Sequence, residues 1–247
     1  MLGHDHLKNR PLNILLVDDT DDMRRLVELF LKMLSHEVES VENGQEAVQK
    51  FKEKKYDVIL MDMRMPVMDG YEATETIRAL ERDQELPRTS IVALTSFSTQ
   101  EEISKSLDAG CDTHLVKPVS KDSLQRALGN LPNPEDEVAD KTASSGESFT
   151  VTIDPDLEDL VPGYLEKRRK DIERFEQYLN DKDFEELRSM GHKVKGSGGG
   201  YGFNGLSLIG ADIENAAKAS DESALRKHLE QYETYISGVK VVYEEED

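Results

Sequence analysis

Up to about residue 130 the chain alternates short apolar runs with segments whose apolar residues recur every three or four positions. The runs are Ile14–Val17, a weaker one at Glu37–Val41, then Val58–Met61, Ile91–Leu94 and His114–Val116. Between and after them lie helical patterns at Met23–Leu34, Gln45–Lys54, Tyr71–Leu80, Glu101–Ala109 and Lys121–Leu128. Apolar runs too continuous for a half-exposed strand, each followed by an amphipathic helix, predict repeated βα units on a parallel sheet. Residues 1–131 are therefore expected to form one doubly wound α/β domain.

The pattern then breaks. Residues 132–152 hold two prolines, five acids and a serine-rich patch, a composition that reads as a linker. From 153 to 247 the periodicity is helical throughout: Leu165, Ile172, Phe175 and Leu179; a segment Phe184–Gly199; Leu206, Ile209, Ile213 and Ala216; and Leu225, Leu229, Tyr232, Ile236 and Val239. Four such stripes predict an all-α four-helix bundle, preceded by a short helix at Leu157–Val161.

Composition narrows the possibilities. Lys and Arg number 31 against 51 Asp and Glu, a net charge of −20 to which both halves contribute. No stretch supplies the clustered cations that a duplex reader exchanges for counterions, so nucleic acid is not an expected partner. No apolar stretch is long enough for a membrane span, and MLGHDHLKNR has no charged-then-apolar leader, so a cytoplasmic chain is expected. The single cysteine, Cys111, abuts an apolar run and reads as a small buried hydrophobe. The histidines of the GHDH stretch sit in a tail poorly suited to holding a metal.

Parallel sheets bind ligands at the carboxyl ends of their strands. Here strand one ends in Asp18 and Asp19, strand three in Asp62, strand four in Thr95 and Ser96, and strand five in Lys117 and Pro118. Singly, each has a bland explanation: an Asp as the cap of the next helix, a Thr likewise, a Lys in a solvated turn. Together they would bring three carboxylates, a hydroxyl and an ammonium to one edge. Carboxylates that close repel one another, and a hard divalent cation such as Mg²⁺ relieves the repulsion. The lysine and the hydroxyl suit the oxygens of a phosphoryl group.

The segments ILLVDD, DVILMDMRMPVMDG, IVALTS and HLVKP, in this order, resemble the receiver domain of two-component response regulators over residues 10–131. The resemblance implies a flavodoxin-like five-stranded fold with Asp62 as phosphoacceptor. It implies Mg²⁺ on Asp19, Asp62 and the Arg64 backbone carbonyl, with Asp18 acting mainly through water. Thr95 and Lys117 would bind the phosphoryl oxygens, and rotation of Thr95 would signal to the far face. Two positions depart from the family pattern: His114 stands at the switch position where Tyr or Phe is usual, and Ser96 follows Thr95 where Ala or Gly is common. Arg64 and Phe97 match positions that tune hydrolysis.

In the second domain, DFEELRSMGHKVKGSGGGYGF has too many glycines for an ordinary helix. On a helical wheel Phe184, Leu187, Gly191 and Val194 share an arc that would face the core, leaving His192 on the solvent side. Lys195, Gly196 and Gly199 fall near His192 one or two turns on. Lys195 offers a cation to a phosphorylated imidazole, and the glycines would clear side chains so that a partner can approach. An exposed His beside a Lys is ordinarily plain surface, but interior helix glycines cost roughly 0.5–1 kcal/mol each and need a reason. GHKVKGSGGGYGF resembles the active-site motif of histidine-phosphotransfer (HPt) domains, over about residues 154–243, which implies phosphorylation of His192. The glycine run lacks the strand and the Gly-Lys-Ser/Thr of a phosphate-cradling nucleotide loop.

The combined expectation is a phosphorelay intermediate rather than an ATP-consuming or DNA-binding protein. Its partners would be a sensor histidine kinase and other receiver or HPt proteins. Two alternatives are a phosphorylation-switched interaction module in which His192 is idle, and a phosphatase with Asp62 as nucleophile. The second is disfavoured because Arg64 stands where a haloacid-dehalogenase-type enzyme has its acid/base Asp.

Overall fold

The computed structural model describes residues 10–95, 100–129 and 150–243. It divides into two compact units, Met1–Val138 and Ala139–Asp247. Residues 132–149 of the expected linker, the GHDH histidines, Ser96 and Phe97 lie outside the described residues.

The first unit runs β1 (Asn13–Val17), α1 (Asp21–Met33), β2 (Glu37–Val41), α2 (Gly44–Glu53), β3 (Val58–Asp62), α3 (Gly70–Asp83), β4 (Ser90–Thr95), α4 (Gln100–Asp108), β5 (Thr113–Val116) and α5 (Lys121–Gly129). The strands form one parallel sheet in the order β2-β1-β3-β4-β5. β3 reads VILMD and is buried at every position, as a strand covered on both faces must be. β2, at an edge, reads EVESV and buries only Val41. One face of the sheet packs Leu15, Val17, Ile59, Met61, Ile91 and Ala93 against Val48, Phe51, Ala73 and Ile77 of α2 and α3. Side-chain caps start both helices: Asn43 accepts from the Glu46 N–H, and Asp69 from the Glu72 N–H. Five parallel strands so packed present their carboxyl ends, where Asp18, Asp62, Thr95 and Lys117 stand, along one edge.

The second unit contains β6 (Thr150–Ile153), a 3₁₀ turn at Pro155–Leu157, α6 (Val161–Asn180), α7 (Phe184–Gly198), a second 3₁₀ turn at Gly199–Tyr201, α8 (Asn204–Lys218), α9 (Glu222–Gly238) and β7 (Lys240–Tyr243). α6 packs on α7 and α9, and α8 on α7 and α9, which makes a four-helix bundle. Under the turn after α7, Tyr164 stacks on Tyr201 with ring centroids 4.1 Å apart and on Phe203 at 5.7 Å.

Two expectations differ from the structure here. Thr150–Thr152, expected as linker, belong to β6, which pairs in parallel with β7 from Thr150↔Lys240 to Ile153↔Tyr243. The segment TVTI is β-branched at each position, but its partner lies some ninety residues away and gives no local signal. Ile153 is 1% exposed and packs beside Gly202, whose φ of 85° only glycine adopts easily. The short helix expected at Leu157–Val161 forms instead at Pro155–Leu157, because Asp154 caps it by accepting from the Asp156 N–H.

Glycines where α7 and α8 cross serve helix packing. A Cβ on Gly191 would stand 2.7 Å from the Glu214 backbone nitrogen, and one on Gly210 would stand 2.5 Å from that of Lys195. Only paired glycines let α7 and α8 approach so closely. Gly210→Ala is therefore expected to lower the stability of the second unit by about 1–3 kcal/mol despite alanine's better helix propensity. Chemical denaturation of the full chain, followed on the second unit's tyrosines, would measure it. An unchanged midpoint would show that the helices separate freely.

Candidate functional site

The first site lies at the carboxyl edge of the sheet. Asp18 ends β1 and is fully buried, and Asp62 ends β3 and is 3% exposed. Lys117, after β5, inserts its ammonium between them, with Nζ 2.7 Å from Asp18 Oδ2 and 2.8 Å from Asp62 Oδ2. The Thr20 N–H donates to Asp18 Oδ1 at 2.8 Å and the Arg64 N–H donates to Asp62 Oδ1 at 3.1 Å, so both carboxylates are held from both sides. Asp18 is thus no helix cap: Thr20 occupies the N-cap position of α1. Asp19 is partly buried, and one carboxylate oxygen from each of Asp18, Asp19 and Asp62 falls within a 4.8 Å cluster. Thr95 is buried at the end of β4, and its carbonyl accepts from the Lys117 N–H at 2.7 Å. His114, partly buried, lies opposite Ala93 in the β4–β5 register.

Burial pushes the Asp62 carboxyl up to about 6; the Lys117 charge opposes this rise and the Asp18 charge adds to it. Burial alone would lower the Lys117 ammonium, but Asp18 and Asp62 outweigh it and hold it above its ordinary range. Lys117 is therefore a permanent cation in a pocket with an excess of carboxylate. Such an all-oxygen cluster of three acids fits a hard divalent cation.

Arg24 was not visible as a site residue in the sequence. It is buried on α1, donates to the Asp18 carbonyl at 2.7 Å, and pairs with Glu42 at 2.7 Å. It braces the strand end from behind, and an arginine in an amphipathic helix carries no mark of that task.

The second site centres on α7. His192 Nδ1 stands 3.2 Å from Glu214 Oε1 on α8, and Lys195 Nζ stands 3.3 Å from Glu214 Oε2. The side chains of His192, Lys195 and Glu214 are 15%, 19% and 7% exposed. His192 is thus mostly covered, not on the open solvent side the wheel predicts. Gly196 is buried and Gly199 partly buried, so neither simply clears surface. The wheel of α7 knows nothing of α8, which crosses close enough at Gly191 and Gly210 to cover the imidazole's flank. Ser207 adds a clasp: its hydroxyl donates to the Lys195 carbonyl and accepts from the Gly199 N–H, each at 2.7 Å.

Glu214 is the functional candidate that sequence reasoning missed. It follows Gly210 by one helical turn and so shares its face. An acid on the glycine face of a mostly apolar helix was the one available signal. Burial favours its neutral form, but the hydrogen bond and charge of His192, with Lys195 behind them, bring the carboxyl down to about 2.

Comparisons with known proteins match both domains. Residues 14–129 match the model of the response regulator receiver domain, and 159–241 match that of the Hpt domain. The chain is 35% identical over 118 residues to the chemotaxis protein CheY of Halobacterium salinarum, covering 94% of that protein and 48% of this one. The chain belongs to the two-component receiver family, with an Hpt domain following its receiver. It is 38% identical over 122 residues to the sensor protein GacS of Pseudomonas syringae, covering 49% of this chain but only 14% of that one. The chain spans only 5–14% of the length of the sensor-kinase relatives it matches. Among solved structures, a co-crystal of the Saccharomyces cerevisiae histidine phosphotransfer protein Ypd1 with the receiver domain of Ssk1 matches at 31% identity and a TM-score of 0.48, over 49% of this chain and 88% of that one. Receiver and Hpt domains are the phosphoryl-carrying modules of two-component signalling, and this chain holds one of each. Among the described residues no helix is long and apolar enough to cross a membrane.

Proposed function

We propose that the chain is a phosphorelay intermediate acting in the cytoplasm. Asp62 accepts a phosphoryl group from the phosphohistidine of a sensor kinase or another Hpt protein, and His192 exchanges phosphoryl groups with a receiver aspartate. The observation that carries this reading is the buried Lys117 ammonium bound to Asp18 and Asp62 beside the third carboxylate, Asp19. A structural ion pair needs one acid, whereas in-line transfer to a carboxylate needs a fixed cation beside the nucleophile.

Asp62 Oδ attacks phosphorus as the P–N bond of the donor breaks, and the imidazole leaves with its ring neutral. Lys117 takes up charge on the phosphoryl oxygens, and Thr95, adjacent at the end of β4, offers its hydroxyl to one of them. Its rotation toward the phosphoryl group, with His114 as neighbour on β5, would carry the signal onward. Asp19, Asp62 and the Arg64 carbonyl would hold Mg²⁺, with Asp18 acting through water; the ion supplies neutralisation of the transferring charge. In the second domain Glu214 accepts the Nδ1–H of His192, which leaves the Nε2 lone pair to attack phosphorus. Lys195 stands by as a counter-charge for the phosphoimidazole. The receiver thus catalyses its own phosphorylation and dephosphorylation, and the chain passes phosphoryl groups on rather than turning over a substrate.

Incubation with a small phosphodonor and Mg²⁺, followed by intact-mass and lability analysis, tests both assignments. A base-labile adduct is expected to vanish in Asp62→Ala, and an acid-labile one in His192→Ala. An adduct that survives both substitutions, or none on the wild type, refutes the reading.

A further inference from the structure

The rim of the Asp62 pocket carries a guanidinium that this mechanism leaves unused. The Arg64 N–H bond to Asp62 Oδ1, at 3.1 Å, keeps the Arg64 Cα within about 4.6 Å of that oxygen. The side chain, however, turns away from Asp62 to α4, where it pairs with Glu102 of the first turn. The pair is partly exposed, 43% for Arg64 and 23% for Glu102. A second contact ties the same helix to α3: Lys105 Nζ sits 3.9 Å from the centroid of the Tyr71 ring.

A partly exposed ion pair of this kind contributes little to stability and exchanges readily. A phosphoryl group on Asp62 changes the competition. It replaces a singly charged, deeply buried carboxylate with a group of about −1.5 to −2 charge, whose oxygens reach outward and match the planar fork of a guanidinium. Arg64 is anchored beside that group by its own backbone, so no loop has to travel for the exchange.

Resting on the assignment of Asp62 as phosphoacceptor, we propose that Arg64 is a phosphoryl-binding residue held in reserve by Glu102. When Asp62 is phosphorylated the guanidinium leaves Glu102 for the phosphoryl oxygens, and the first turn of α4 loses this tie to the β3–α3 loop. Glu102 thereby both lowers the rate at which an anionic donor is accepted and reports occupancy of the pocket to α4.

Phosphoramidate is the probe: its P–N bond breaks as the Asp62 O–P bond forms, and ammonia leaves. The full-length wild type, Arg64→Ala, which keeps the backbone carbonyl, and Glu102→Gln are labelled with Mg²⁺ present. Intact mass gives the rate, and hydrogen exchange is read on the peptide covering α4. Glu102→Gln is expected to label about three- to tenfold faster than wild type, and Arg64→Ala slower by a similar factor. In the wild type, labelling is expected to speed exchange in α4; in both variants exchange is already fast and labelling adds little. Equal labelling rates in the three proteins overturn the proposal. So does a response of α4 to labelling in Arg64→Ala as large as in the wild type. If the wild type gains no mass that Asp62→Asn fails to gain, the phosphoacceptor assignment falls instead, and this inference with it.

Discussion

Glu214→Leu is expected to slow phosphoryl transfer to and from His192 by about ten- to a hundredfold, the loss typical when a partner that orients a functional imidazole is removed. Glu214 fixes the ring through Nδ1 at 3.2 Å, and with it the tautomer that presents Nε2. Without that acceptor the ring rotates and shares its proton between both nitrogens. Glu214→Gln retains an acceptor oxygen without the charge, so an intermediate rate is expected. Transfer is measured in a single turnover from a phosphorylated receiver that labels the wild type, with the second domain's fold verified by its denaturation curve. The same carboxyl gives an independent readout, because it lies near 2 in the folded chain and near 4.5 when unfolded. Its contribution to stability is complete above the unfolded value and is lost as pH falls from there toward 2, a change on the order of 3 kcal/mol. The wild type should weaken across that range by more than Glu214→Leu. Equal acid sensitivity and equal transfer rates in the two proteins would remove Glu214 from the site.

Lys117→Met is expected to destabilise the first domain by about 3 kcal/mol at pH 7 and to slow labelling of Asp62 at least about a hundredfold. The substitution preserves volume but leaves Asp18 and Asp62, fully buried and 3% exposed, with no ammonium between them. Burial already raises the Asp62 carboxyl to about 6 against its ordinary 3.8. With the cation gone it rises further, so the folded variant binds a proton that the unfolded chain does not. Its stability must then increase as pH falls from 7 toward 5. Adding Mg²⁺ or the second substitution Asp62→Asn should recover most of the loss. Urea denaturation at several pH values measures this. A Lys117→Met protein as stable as wild type at pH 7, and indifferent to acid, would mean the lysine does not balance these charges.

The first domain was legible almost to the residue because its information is local. A parallel strand buried on both faces must be a continuous apolar run, so VILMD and IVALT announce themselves, and the helices between them follow from their period. The strand-end residues were legible for a topological reason: parallel strands end on one side, so Asp18, Asp62, Thr95 and Lys117 had to meet once the strands were assigned. His192 stood out because its helix is built of residues that weaken helices.

What the chain alone could not show is whatever depends on two elements far apart in sequence. The pairing of β6 with β7, the Arg24–Glu42 pair and the Arg64–Glu102 tie each join segments that carry no mark of one another. Gly191 of α7 meets α8 at Glu214 and Gly210, neighbours that the wheel of a single helix does not contain. A helical wheel places a residue relative to its own axis, while exposure depends on what crosses that axis. The sequence by itself determined which residues are the candidates for carrying phosphoryl groups, since strand ends and helix composition are properties of single elements. Only the tertiary structure decided which acid holds the histidine and which one restrains the arginine, because a hydrogen bond of about 3 Å is set by how helices and loops pack, not by their spacing along the chain.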